Sequence, residues 1–184
     1  MKGIIFNLLE HVVTEQLGEP VWDRLLDGAG VDGAFTSLGN YPDEDLFKIV
    51  GAASRALDQP PAAVVRWFGV HALPLLAGKY PVFFEAHHST RSFLLTLNGI
   101  IHPEVRKLYP GADTPEFEFD TSSPDVLVME YHSARKLCAL AEGLIEGAAA
   151  HFDEAVGIVH PLCQHRGDVS CRLELTFAGN GTSA

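Results

Sequence analysis

The chain is short of positive charge, with 13 Lys and Arg against 24 Asp and Glu in 184 residues and a formal net charge of −11. Binding to a phosphate backbone draws on counterion release from clustered cations, so nucleic acid is excluded as an expected partner. Long apolar runs are also missing. Apolar stretches such as residues 62–65 and 147–150 fall far below the ~18 residues that cross a bilayer. Residues 1–17 carry Glu10, His11 and Glu15 inside their apolar pattern, which a secretory signal would not. The expectation is a cytoplasmic protein that does not enter a membrane. Cysteine is scarce and odd in number, at three. In a reducing compartment these thiols are buried packing groups or metal ligands rather than disulfides. Internal repeats and long linkers are absent too. What is present is 47% hydrophobic residues, in a chain long enough to bury roughly 70% of its unfolded surface.

The first two thirds has helical spacing. Ile4, Ile5, Leu8, Leu9, Val12, Val13 and Leu17 recur on one face, and residues 21–29 and 44–57 repeat the pattern. Pro42 and Asp43 mark a helix start, and Asp58, Gln59, Pro60 and Pro61 end one helix and open the next near residue 62. Pro74 is expected to kink or end that helix. Helices are also predicted over 82–97 and about 103–109. From Glu116 the period changes to two. Phe117 and Phe119 alternate with acidic residues, and Leu127, Met129 and Tyr131 share a face. Helical spacing returns over 134–151, and strands near 155–160 and 170–177 close the chain. The expected class is α+β, an N-terminal helical layer packed with a four-stranded antiparallel sheet and one inserted helix. We read residues 1–184 as one domain, helical over about 1–110 and sheet-containing over about 111–180.

Two constellations carry chemistry. Tyr131, Ser133 and Arg135 stand at i, i+2 and i+4 where a strand runs towards a helix. There two hydroxyls and a forked guanidinium can converge on an anion. The plainer alternative has Ser133 capping the helix and Arg135 solvated. The second constellation joins Cys138, His160, Cys163 and Cys171. His160 and Cys163 have H-x2-C spacing, and Cys171 shares a face with Leu173, Leu175 and Phe177. Three thiolates and an imidazole make a closed tetrahedral set suited to structural zinc (Zn2+). Simple burial of Cys138 and Cys171 is the competing reading, and His165 is an alternative ligand to His160. The pair His87 and His88 lies in a polar stretch and reads as solvated surface. His11, His132 and His151 are given no role.

The start MKGIIFNLLE, His102 after a helical run, Pro115 after the loop at Gly111, and Tyr-x-Ser-x-Arg at Tyr131, Ser133 and Arg135 together resemble the H-NOX family of haem-nitric oxide/oxygen-binding domains. The resemblance runs over nearly the whole chain. It implies a ferrous haem b buried between the helical layer and the sheet, with His102 as proximal ligand and a sixth position open to a gas. It also implies that Tyr131, Ser133 and Arg135 hold the propionates, that Pro115 presses on the macrocycle, and that Ile5 lies above it. Pro103 directly follows the implied ligand and is expected to bias His102 away from helical dihedrals, so that the proximal helix begins or kinks there.

Members of the family that hold O2 carry a tyrosine five positions beyond the motif's arginine; here that position is Leu140. Leu9, Ala72 and Leu76 offer no donor either, and His71 is the one polar neighbour. A missing donor to bound O2 forfeits roughly 1.5–3 kcal/mol, or on the order of ten- to a hundredfold in affinity. The resemblance therefore implies a sensor that takes NO and CO, excludes O2 and catalyses nothing. Its signal would arise from weakening of the iron–histidine bond, which shifts the helical layer against the sheet. The partner would be a sensor histidine kinase or a cyclic-di-GMP-metabolising enzyme. Some bacterial members also carry zinc at a site like the Cys3His set. The alternatives are a zinc-stabilised interaction module without haem and, less favoured, a haem enzyme.

Overall fold

A computed structural model describes residues 1–179. The expected sheet boundary at 180 falls just outside them. Seven α-helices and four strands follow one another as α1 (Gly3–Leu17), α2 (Glu19–Ala29), α3 (Asp43–Leu57), α4 (Pro61–Lys79), α5 (Thr90–Leu94), α6 (His102–Leu108), β1 (Glu116–Asp120), β2 (Val126–His132), α7 (Cys138–His151), β3 (Glu154–Leu162) and β4 (Cys171–Gly179). The α+β class is thus as expected, with one helix inserted between strand pairs.

Helices α1 to α4 bury the apolar faces read from their spacing, and Phe6, Val12, Trp22, Leu25, Ile49 and Phe68 form the centre of a first core. Gly3 opens α1 because nothing larger fits: a Cβ there would lie 1.9 Å from the Thr36 carbonyl oxygen. α3 begins with Asp43, Glu44 and Asp45, three acids at the positive end of the helix dipole, and ends on Asp58 in the left-handed region.

The strands pair antiparallel in the order β1-β2-β4-β3. In register, Leu127 faces Leu175, Met129 faces Leu173 and Tyr131 faces Cys171. All six are almost fully buried and form a second core with Phe117, Phe93, Ile101 and one face of α7. The two cores meet along α4. Its residues up to Ala72, with Leu75 and Leu76, pack in the first, and Leu73 and Ala77 pack in the second. α4 and α7 touch backbone to backbone. A Cβ on Gly143 would lie 2.0 Å from the Arg66 carbonyl oxygen, and one on Gly69 would lie 2.8 Å from that of Leu140.

Four local expectations are corrected. α4 runs on through Pro74 to Lys79. Pro74 points to solvent while its neighbours Leu73 and Ala77 are buried, so water can serve the carbonyl left without a partner and packing holds the helix. The predicted helix over 82–97 is broken into a 3-10 turn and the short α5, because the Ser89 hydroxyl accepts a hydrogen bond from the Ser92 N–H and starts a new helix. The helix expected from residue 134 begins only at Cys138. Ser133 accepts from the Arg135 N–H at 3.2 Å and Lys136 is left-handed (φ 52°), so Ser133 closes a turn and caps no helix. Finally, His102 is fully helical (φ −65°, ψ −39°) despite Pro103. A π-turn, Leu97–Ile101, precedes it. That wider turn carries the carbonyls past the proline ring; α6 begins here as expected, with His102 helical in spite of the local bias that a following proline imposes.

Candidate functional site

His102 stands at the first position of α6, and its ring lies against Phe117 of β1, with centroids 5.7 Å apart. Its Nδ1 is buried and has no hydrogen-bond partner. Desolvation and the nearby Arg106 push its pKa down to about 4, against an opposing pull from the Pro115 backbone. The imidazole is therefore neutral near pH 7, the form that ligates a metal.

The turn before it is held by a side chain that sequence reading missed. Asn98 donates its amide N–H to the Phe117 carbonyl and accepts the Phe117 N–H at 3.2 Å. It closes the open edge of β1 like a further strand. No periodicity or motif flags this residue; only the fold brings it there.

Phe117 also lies 5.7 Å from the Tyr131 ring, its partner in the β1–β2 register. The Tyr131 oxygen accepts the Leu137 N–H at 3.1 Å. Burial raises its pKa, while hydrogen bonds from Ser133 and Leu137 offset part of the rise, so the phenol stays protonated. The oxygen thus serves as acceptor for the Leu137 N–H, and a phenol that accepts can still donate its own O–H. Arg135 holds the Asp43 carboxylate at 2.7 Å, the Asp113 carboxylate at 3.0 Å and the Asp113 carbonyl at 2.7 Å. This guanidinium is built to grip carboxylates and is only 16% exposed. The plainer reading of Arg135 as solvated does not hold. Asp43 also meets the Met1 ammonium at 2.5 Å. Burial works to raise its pKa, yet the hydrogen bonds from that ammonium and Arg135 hold it below the usual carboxylate value.

Ile5 of α1 and Leu140 of α7 are half-buried and pack on the first core, as do Leu76 and Val105. The His71 Nδ1 sits 2.9 Å from the Trp67 carbonyl, so it carries the proton and leaves Nε2 an acceptor when the ring is neutral.

The second constellation assembles in one place. Ligating atoms of Cys138, His160, Cys163 and Cys171 all lie within 4.8 Å of one another. Cys163 Sγ is 3.9 Å from that of Cys138 and 4.0 Å from that of Cys171. All three thiols are buried. Burial and their mutual proximity raise the pKa of Cys138 and Cys171, a penalty that a bound cation would reverse. Backbone N–H groups already serve this loop. Gln164 donates to Cys171 Sγ at 3.3 Å, and Cys163 donates to Asp168 at 2.7 Å. His165 lies outside the group, its Nε2 at 2.7 Å from the Lys136 carbonyl. The two constellations adjoin, since Tyr131 and Cys171 face each other across β2 and β4 and Leu137 precedes Cys138.

A family model described as Haem-NO-binding matches residues 2–160. The chain belongs to the H-NOX family. The family is one of haem-based gas-sensing domains. The H-NOX protein from S. oneidensis in its Fe(II)NO state is 34% identical over 97% of this chain and 100% of its own, with a TM-score of 0.91. An H-NOX domain from Shewanella oneidensis in its Fe(II)CO state is also 34% identical, covering 98% of this chain and 100% of its own, with a TM-score of 0.88. The Fe(II) unliganded H-NOX protein from K. algicida shares the fold at 24% identity, covering 98% of each chain with a TM-score of 0.87. No curated protein sequence matches the chain. Among the described residues, no helix is long and apolar enough to cross a membrane.

Proposed function

We propose that residues 1–184 form one haem-based sensor that responds to NO, accepts CO and discriminates against O2, without catalysis. The observation that carries this reading is the His102 imidazole, kept neutral with a buried nitrogen unpartnered, one ring away from Tyr131, whose strand leads to an Arg135 that grips carboxylates. These residues fit a ferrous haem b, which supplies an open coordination position for a diatomic gas when bound. His102 would hold its iron. Tyr131, Ser133 and Arg135 would hold its propionates, with Arg135 exchanging carboxylates of its own chain for those of the ligand. Pro115, beside His102, and Ile5 would bear on its faces.

Selectivity follows from what the other side lacks. Leu9, Ala72, Leu76 and Leu140 are all apolar, and His71 spends its proton on Trp67. O2 is thereby denied a hydrogen bond worth roughly 1.5–3 kcal/mol, while NO, which carries less charge, loses less. His102 lies on α6 and is tied to β1 through Phe117 and Asn98, so displacement of His102 moves the helical layer against the sheet. The receiver would be a separate sensor histidine kinase or cyclic-di-GMP-metabolising enzyme, reached in the cytoplasm. The Cys3His group fits structural Zn2+ and would tie β3 and β4 to the start of α7.

Anaerobic optical titration of the reduced protein with NO, CO and O2, with metal analysis alongside, tests the reading. The expected result is a Soret band, spectral changes with NO and CO, and none with O2. His102→Gly should lose haem unless free imidazole is added. A protein that shows no Soret band after incubation with haemin would be the zinc module instead. Stable O2 binding would overturn the selectivity, and peroxidase turnover would overturn the absence of catalysis.

A further inference from the structure

One buried acid has no place in the function above. Glu142 lies in α7, 9% exposed, in a helix whose other buried positions are apolar or small. Its two carboxylate oxygens go separate ways. Oε1 meets His160 Nδ1 at 2.5 Å, and Oε2 accepts from Arg66 Nη1 of α4 at 2.8 Å. Arg66 already has a bidentate partner in Glu146, with Nε at 2.9 Å and Nη2 at 2.6 Å. The α4–α7 ion pair therefore does not require Glu142, whose remaining contact is the histidine.

A carboxylate on Nδ1 keeps the proton there, so Nε2 is the nitrogen left with a lone pair. That Nε2 is buried and unpartnered, on a residue whose ligating atom lies among three thiols. We propose that Glu142 is the positioning residue of the Cys3His metal centre. It sets the His160 tautomer and ring orientation, and through Arg66 it anchors the centre to α4. A chain thus runs Arg66–Glu142–His160 from the helical layer to the thiols of the sheet layer. Metal-bound histidines generally donate their second N–H to an acceptor such as this carboxylate, and losing that partner costs on the order of ten- to a hundredfold in metal affinity.

This inference rests on the metal reading of the Cys3His group, and the experiment separates the two. Zinc is titrated into the full-length apo protein against a chromophoric chelator, and Co2+ absorption reports the ligand set. Glu142→Gln conserves shape but removes the charge. It is expected to weaken zinc roughly tenfold or more and to alter the Co2+ bands. Glu146→Gln, which leaves the His160 contact in place, should stay within about twofold of wild type. Equal zinc affinity and identical Co2+ bands in Glu142→Gln and wild type would overturn the proposal, as would an equal loss in Glu146→Gln. Wild-type protein that takes up neither ion would overturn the metal reading and this inference with it. Circular dichroism of the apo variants shows whether Glu142→Gln keeps the fold. If it does not, Glu142→Asp, which keeps the charge but draws the carboxylate back from His160 Nδ1, takes its place: weaker zinc binding and altered Co2+ bands are expected, and wild-type affinity with wild-type bands would overturn the proposal.

Discussion

Replacing Gly143 by alanine tests the backbone contact between α4 and α7. The added Cβ would lie 2.0 Å from the Arg66 carbonyl oxygen, 2.9 Å from its carbon and 3.0 Å from the Gly69 Cα. None of these is the end of a flexible side chain. An ordinary contact starts at 3.4 Å, so the helices must separate by about 1.4 Å, the difference between 3.4 and 2.0. A gap of even ~0.5–1 Å forfeits a quarter to a half of the dispersion energy of each facing pair, and overpacking of this kind costs about 1–3 kcal/mol or more. Alanine returns up to about 1 kcal/mol of helix propensity. With only backbone to yield, the steric cost falls at the top of its range, leaving a net loss of about 2 kcal/mol. For a chain of this size that lowers Tm by roughly 4–8 °C. Gly78→Ala is the control. It lies in α4 with nothing within 4 Å of its would-be Cβ, so the same change should raise stability by about 0.5–1 kcal/mol. Thermal and urea unfolding of both variants read the two signs. A neutral or stabilised Gly143→Ala would refute the close crossing.

Two further predictions concern the proximal side. Asn98→Leu removes both partners of the Phe117 backbone at the edge of β1; urea unfolding should show a loss of about 1–3 kcal/mol, and the haem-loaded variant should show an altered ferrous spectrum because the His102 turn keeps only its ring contact with Phe117 as a tie to the sheet. In haem-free protein, the lowered His102 pKa of about 4 means that the unfolded chain binds a proton near pH 6.5 that the folded chain refuses until about pH 4. Stability at this site is complete above pH 6.5 and falls as pH drops towards 4, so wild type should lose urea resistance over that window faster than His102→Leu; parallel curves would show that His102 is not desolvated.

How much of this was legible in the sequence depended on whether the signal was local. The faces of α1 and α3 repeat over four turns, and Leu127, Met129 and Tyr131 alternate without interruption, so both periods stood out. Cys138 was placed with Cys163 and Cys171 from their number and spacing, although α7, β3 and β4 bring them together only in three dimensions. Pro103 marked the start of α6 correctly but misled on the His102 dihedrals, and Pro74 did not end α4 because tertiary packing carries the helix through it. Asp43 and Asp113 lie 92 and 22 positions before Arg135, and nothing near the motif announces them. Glu142 and Glu146 did leave a trace, as two acids four apart in an otherwise apolar helix, a pattern that asks for a buried cation.

Helix α4 is rooted in both cores, its last two turns facing the first through Leu75 and Leu76 and the second through Leu73 and Ala77. Its 19 residues make a rod about 28 Å long. A rod clamped in two bodies acts as a lever: tilting one end by about ten degrees carries the far end sideways by roughly 5 Å. A small rotation of the sheet half would thus reappear, enlarged, at the outer end of the helical half, where Pro60 and Pro61 stiffen the tip.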